Sequence, residues 1–290
     1  MLLRIVSILF PLFAITAIGF LVGRRAKPDL SHANKLNMDV FVPALVFGAL
    51  ANKSFHITEF LPLLAATLAV VIGSGLLGWL AARLLGIAPK TLVPPIMFNN
   101  CGNLGLPLAV LAFGEQALAP AVVMFMVSNL LHFSFGAWLL DHQIKLGGIW
   151  KVPSVLATMA GLAVGLSGFE VWEPAMIAIR MLGEISIPLM LFALGVRLTE
   201  SRIGEIRLGL IGAAARPLIG MLLAAAMMLV VPLPERERAL LLVFGALPPA
   251  VLNYIFAERY HQEPEKVASI VLIGNVAALA FLPLALAMGL

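Results

Sequence analysis

The sequence predicts an all-α integral membrane protein of ten transmembrane helices, arranged as two inverted five-helix repeats whose fourth and ninth helices are broken. Three observations predict it. Of the 290 residues 61% are hydrophobic and 12% charged, with mean hydropathy +1.04, whereas soluble domains run near half apolar and a quarter charged. Apolar runs of about 20 residues, the length that crosses a hydrocarbon layer of about 30 Å, recur along the whole chain. The two halves also echo each other at a nearly fixed spacing, described below.

The first span, Ile5–Val22, follows MLLR and is closed by Arg24, Arg25 and Lys27; it lacks an A-x-A cleavage site and reads as a retained helix rather than a leader. The second, Leu36–Ala51, is short and carries DVFVPALVF. The third, Phe60–Ala82, contains Gly73, Gly75 and Gly78 in the spacing G-x-G-x-x-G. No strand precedes them, so close helix packing explains them and dinucleotide binding does not. The fourth, Thr91–Phe113, gathers Asn99, Asn100, Gly102, Asn103, Gly105 and Pro107, all poor helix formers, at its middle. The fifth, Ala117–Leu140, holds Asn129 and His132; the sixth, Pro153–Gly168, is short, with Gly161 and Gly165 for packing. The seventh, Ala175–Val196, carries EISIPLMLF, and the eighth, Leu208–Val231, contains Arg216 followed by Pro217. Pro248, Pro249 and Asn253 interrupt the ninth, Ala239–Ala257, and the tenth runs over Glu265–Met288.

Lys and Arg in short loops are retained on the cytoplasmic side, which orients these spans. With the N-terminus outside, the inner loops hold Arg24, Arg25, Lys27, Lys35, Arg83, Lys90, Lys145, Lys151, Arg197, Arg202, Arg207, Arg259 and Lys266. The outer segments hold only Arg4, Lys53, Arg236 and Arg238. Both termini are therefore expected outside. The net charge of +4 comes from these scattered residues and not from a basic patch, so nucleic acid is not an expected partner.

The repeat is carried by paired features. Asp39 stands four before Pro43, and Glu184 four before Pro188; Asn129 in VMFMVSN matches Asn275 in SIVLIGN; FGEQALAP matches RYHQEPEK. Five helices per copy is an odd number, so the copies sit upside down relative to each other, with residues 1–145 as the first repeat and 146–290 as the second. Inverted repeats are a ground plan of secondary transporters, with the site where corresponding helices break near the bilayer centre. Peptide groups freed there cannot face lipid and must line protein or a watery cavity. Half-helices that start at mid-depth offer unpaired N–H groups and partial positive charge, a field that suits a carboxylate. The amides of Asn100, Asn103 and Asn253 add donors; for each asparagine, ligand contact and satisfaction of the freed backbone remain open.

The segments NNCGNLGLPL and LPPAVLNYIFAERY, with the P-A-L-V-F second helix, resemble the auxin efflux carrier family of membrane transporters, particularly its bacterial members, over the full chain. The resemblance implies a five-plus-five inverted fold like that of bile-acid symporters and sodium/proton antiporters, with the broken helices crossing. It also implies transport of carboxylates such as auxin, malate or malonate. On it, Asn100 matches the substrate-contacting asparagine of the fourth helix, Pro107 its crossover proline, and Pro248 the proline of the plant L-P-Q motif. Asn253 stands where a later crossover proline is expected, a departure that weakens the break and adds an amide. The long cytoplasmic loop of plant members is replaced by His142–Val152, so regulation by loop phosphorylation is not expected.

Other polar residues are weighed more plainly. Arg216 is read as snorkelling to the cytoplasmic surface or as a structural pair, in preference to a substrate counter-charge. His132 is read as a structural histidine in preference to a proton carrier. Asp39 and Glu184 are placed near the starts of their spans and read as exposed interfacial acids. Asn52-Lys53-Ser54 fits a glycosylation sequon and receives no weight. One cysteine, Cys101, and five scattered histidines exclude an intrachain disulfide and argue against a metal site. No nucleophile–base set at workable spacing supports an intramembrane enzyme. The expectation is a permease or efflux carrier of small organic anions, multi-pass in the bacterial inner membrane, without a cofactor. Its alternatives are a sodium- or proton-coupled symporter or antiporter of another substrate on the same fold, and a channel. Its partners are the anion, the lipid bilayer and, as an open option, a second copy forming a homodimer.

Overall fold

The computed structural model describes residues 1–51, 57–143, 146–200 and 204–289. The Asn52-Lys53-Ser54 sequon, Lys145 and Arg202 lie outside the described residues. Helices follow in the order α1 (Leu2–Ala26), α2 (Ser31–Leu36), α3 (Val42–Leu50), α4 (Leu61–Leu85), α5 (Pro89–Met97), α6 (Leu106–Phe113) and α7 (Leu118–Leu131). After them come α8 (Ala137–Leu140), α9 (Pro153–Ser167), α10 (Glu173–Glu200), α11 (Ile206–Val230), α12 (Glu235–Ala246), α13 (Val251–Arg259) and α14 (Pro264–Gly289). Three π-turns, Asn37–Phe41, Cys101–Gly105 and His132–Gly136, join α2 to α3, lead into α6, and join α7 to α8. The described residues contain no strand, only one isolated antiparallel bridge, Asn99 to Pro249.

Among the described residues six helical stretches are long and apolar enough to cross a membrane: Leu2–Ala26, Thr58–Leu85, Glu115–Leu140, Glu173–Thr199, Ile206–Val230 and Pro264–Gly289. At about 1.5 Å per residue, 25 residues of helix cover more than the ~30 Å of hydrocarbon. The stretches expected as spans two, four and nine are built from shorter pieces and that expected as span six is a single helix of 15 residues, so their lengths alone do not identify them as crossing segments. Outward faces carry large apolar side chains, such as Leu210, Leu218, Leu222 and Leu229 on α11.

Local chemistry sets the ends and the breaks. α4 overruns its expected end and stops at Gly86, which takes a left-handed φ of 67° that a residue without Cβ adopts freely. α12 stops at Ala246 because Pro248 and Pro249 bring no N–H, and a proline forces its predecessor out of the helical region; Leu247 is at φ −59°, ψ 143°. In the other half Phe98 is extended and the chain turns helical again only at Cys101.

Packing forms two bundles. α1 lies along α10 with backbone in close approach: a Cβ on Gly19 would sit 2.1 Å from the Phe192 carbonyl oxygen, and one on Gly195 2.0 Å from that of Thr16. α3 packs on α9 and α10 and completes the first bundle. In the second, α11 packs against α4, α5, α12 and α14. At one end of the second bundle, Thr91 donates to the Glu263 carboxylate, which also pairs with Lys266. Lys90 Nζ and Gln262 Nε2 both donate to the Leu140 carbonyl, at 2.9 and 3.3 Å, tying the start of α5 to the end of α8. The Lys266 ammonium, and then the Thr91 hydroxyl, hold the Glu263 carboxyl below its ordinary range.

Two expectations for single residues change. Arg216 does not snorkel: it is fully buried in the middle of α11. Glu184 is exposed, as expected of an interfacial acid, but lies well inside α10 and not near its start. Asp39 is exposed in the first π-turn.

Candidate functional site

The two breaks meet. Beside the Asn99–Pro249 bridge, Asn100 N–H donates to the Pro248 carbonyl at 2.8 Å and Ala250 N–H to the Phe98 carbonyl at 3.0 Å. Residues 98–100 and 247–250 thus run antiparallel as a short extended pair inside an otherwise helical molecule. Each break supplies hydrogen-bond partners that the other has lost, which is how irregular backbone becomes tolerable away from water.

Asparagines complete the join. Asn99 Nδ2 donates to the Phe244 carbonyl at 2.7 Å, near the end of α12. Asn253 Nδ2 donates to the carbonyls of Phe98 and Ala250, both at 3.0 Å. Asn100 Nδ2 donates to Asn275 Oδ1 at 3.2 Å, and Asn275 Nδ2 donates onward to the carbonyls of Pro249 at 3.2 Å and Val271 at 2.8 Å. A chain of amides therefore runs from one break, through α14, to the other.

A cavity of about 230 Å³ lies against this join. Its wall includes Asn100 to Asn103 on one side and Ala250 to Leu252 on the other, the starts of both helical segments that leave the breaks. The first N–H groups of such segments have no acceptor within their own helix; in the Cys101–Gly105 turn the earliest amides to bond back are Leu104 and Gly105, both to the Asn100 carbonyl. All three π-turns contribute to the wall, through Asn37, Asn103 and His132 among others. π-turns loosen the regular ladder and recur at functional sites. At its far end the cavity reaches Asn34 on α2 and Arg197 on α10.

Of the five residues the sequence points to for the substrate site, Asn100, Asn103, Asn253, Pro107 and Pro248, the first two line the cavity. Asn103 is partly exposed there. Asn253 spends its Nδ2 on carbonyls of the join and is not in the wall, while its Oδ1 is buried with no hydrogen bond. Pro248 supplies the carbonyl that fixes Asn100, and Pro107 is buried in the first turn of α6; neither lines the cavity. His132 does line it, stacked on Phe98 with ring centroids 4.1 Å apart and planes 6° apart, and edge-on to Phe256 at 5.1 Å. Its Nε2 is buried without a hydrogen bond.

Sequence reasoning did not single out Asn37, Ser128 or Arg197 as wall residues. Asn99 was noted only as a helix breaker, and Asn275 only as a repeat partner of Asn129. That repeat match was a usable signal for Asn275, because a polar residue kept at corresponding depth in both halves asks for a buried partner. Asn129 Nδ2 has one as well, Ser154 Oγ at 3.4 Å.

A second, polar cavity of about 830 Å³ is lined by Arg4, Arg236, Glu59 and Glu237 with other residues, away from the breaks. Between Cys101 and Leu247 only a void of about 10 Å³ remains, closed by Met124, Leu240 and Phe244.

The profile of a family described as "Membrane transport protein" matches residues 4–145 and 138–286. A Rhizobium meliloti protein named "Putative malonate transporter" is 24% identical, the alignment covering 96% of this chain and 93% of that protein. An "Uncharacterized transporter" of Methanocaldococcus jannaschii is 23% identical, over 87% of this chain and 88% of its own length. The chain belongs to the membrane transport protein family, a multi-pass membrane transporter of the auxin efflux carrier type that its two broken-helix motifs resemble.

Proposed function

We propose that this protein is a secondary transporter of small carboxylates, which bind in the cavity where the two breaks cross and reach either side of the membrane by alternating access. The observation that carries this reading is the convergence of two helix starts, with the Asn100 and Asn103 amides, on one cavity. Two N-terminal partial charges and several amide donors, with no carboxylate among the described wall residues, favour an anion. The volume, below the ~300–1,000 Å³ of drug-sized sites, favours a ligand of a few carbons. The malonate named for the Rhizobium relative fits that size and charge.

Ten spans in two inverted repeats, residues 1–145 and 146–290, are the topology we assign. The 25-residue helices α4 and α11 support it, since they begin at corresponding positions, 61 and 206. So does the pairing of Phe98 with Ala250 and Asn253 while Phe244 pairs with Asn99, a near-symmetric exchange across the join. Positive-inside charge puts Arg197 and Asn34 on the cytoplasmic side and both termini outside. The described state is then open inward, with the outer path packed shut by Leu240, Phe244 and Leu247. The α1–α3–α9–α10 bundle and the α11-centred bundle are the two bodies whose relative motion would switch access.

Counterflow of labelled malonate into proteoliposomes tests the function. Wild-type protein is expected to exchange malonate, and Asn103→Ala to raise the half-saturating concentration about tenfold, the effect of roughly 1.4 kcal/mol from one lost hydrogen bond to a charged group. The amide of Asn103 makes no hydrogen bond to the described residues, so the folded yield of the variant should not change. Absence of exchange with any small carboxylate would refute the reading.

A further inference from the structure

We propose that Arg216 is the fixed positive charge by which this cavity selects ligands for their charge, acting through its field at the crossing and not by touching the ligand. The inference rests on the anion-transport reading above and deepens it.

Arg216 is among the largest fully buried side chains. Its Nη1 donates to the Gly245 carbonyl at 3.2 Å, while Nε and Nη2 are buried with no hydrogen bond. No carboxylate among the described residues pairs with it. A buried, unneutralised guanidinium is costly, and an ionisable group inside a membrane-embedded bundle is a functional candidate by default. Its place is set by backbone: Gly220 and Gly245 approach so closely that a Cβ on Gly220 would lie 2.1 Å from the Gly245 carbonyl oxygen and 2.2 Å from Arg216 Nη1.

The electrostatics follow from where four helix ends meet. α5 and α12 end at the join, and each C-terminus carries about half a negative charge. The segments starting at Cys101 and Val251 each bring about half a positive charge. Left alone, these four ends would nearly cancel in net charge, although the two N-termini are the ends that face the cavity. At the α5 end, Phe98 O is answered by neutral donors, Ala250 N–H and Asn253 Nδ2. At the α12 end, Gly245 O is answered by a full cation. The sum at the crossing is close to one positive charge, within Coulombic range of Cys101 in the cavity wall, and the Arg197 guanidinium stands apart from it at the cavity's far end. In a medium of low dielectric such a charge acts across several ångströms without contact. The first half has no counterpart: the position corresponding to Arg216 in α4 is Val71.

The test uses two ligands of nearly equal shape, malonate and its monoamide malonamate, at a pH where both malonate carboxylates are ionised. Binding is read as ligand-dependent thermal stabilisation of the full-length protein in detergent. Wild type is expected to bind malonate about tenfold tighter than malonamate, the order of effect of one unit charge at these separations. Arg216→Lys is expected to keep that preference and Arg216→Met to reduce it several-fold, the remainder coming from Arg197 at the far end of the cavity and from the two helix N-termini. Arg216→Met should still fold, because exchanging an unpaired buried ion for an apolar chain of similar length is often neutral or stabilising. If it does not accumulate, Cys101→Asp places a neutralising charge in the wall within Coulombic range of Arg216 and is expected to reduce the preference in the same way. Equal binding of both ligands by wild type, or a preference unchanged in Arg216→Met or Cys101→Asp, overturns the inference. Binding of neither ligand by wild type would instead count against the transport reading.

Discussion

Gly220→Ala is expected to give little or no folded protein. The new Cβ would lie 2.1 Å from the Gly245 carbonyl oxygen, a contact with backbone that no rotamer change relieves. α11 and α12 would have to separate, and both are held on their far sides, α11 by α4 and both by α14. Overpacking of this kind costs roughly 1–3 kcal/mol, and more where the backbone cannot yield. The separation also pulls Arg216 from the Gly245 carbonyl, which strands a buried guanidinium with no partner at all. Monodisperse yield on size-exclusion chromatography and the melting temperature in detergent check the expectation. Gly86→Ala is the control: nothing lies within 4 Å of a Cβ there, and only the left-handed φ is penalised.

Asn100→Ala should leave the fold largely in place and cut carboxylate transport by well over tenfold. The backbone of Asn100 keeps its bonds to the Pro248 carbonyl and from Leu104 and Gly105, so the join survives. What is lost is a cavity donor, together with the acceptor's partner at Asn275 Oδ1, which is left buried and unpaired. That second loss alone costs about 1–3 kcal/mol and loosens the amide chain that links the two breaks through α14. Asn100→Asp is the sharper variant. It keeps size and one oxygen but sets a negative charge against an anionic ligand, so transport should vanish. Initial rates of malonate counterflow, normalised to reconstituted protein, read both. Transport by Asn100→Asp at half the wild-type rate or more would remove Asn100 from the path.

Much of the architecture was legible because lipid imposes blunt rules. Length and hydropathy located the long helices; prolines and asparagines in the fourth and ninth stretches marked breaks that the structure places at 98–100 and 247–250. The site was legible only in outline. Helices that are apolar all round carry little amphipathic phase, so the sequence does not say which way Asn37 on its π-turn, Ser128 on α7 or Arg197 on α10 faces. Nor could it say how an asparagine divides its amide. Asn253 and Asn100 sit in similar settings, yet one spends its donors on carbonyls of the join and the other faces the cavity. That division depends on partners 155 and 175 positions away in the chain. Of the two readings open for Arg216, snorkelling fell for the same reason: a single arginine eight residues into a span is compatible with it until a carbonyl near a remote break gives the side chain a buried place to stay.

Cys101 offers the most direct measurement, because it is the single cysteine of the chain and stands in the cavity wall at the first residue after the break. Its modification by a small, membrane-impermeant thiol reagent can be followed in inside-out vesicles with and without saturating malonate. If a carboxylate binds between the two breaks of an inward-open carrier, the reagent reaches Cys101 from the cytoplasmic face and malonate slows the reaction several-fold. Labelling only from the outer face, or at a rate indifferent to a ligand that the protein demonstrably transports, would contradict the account.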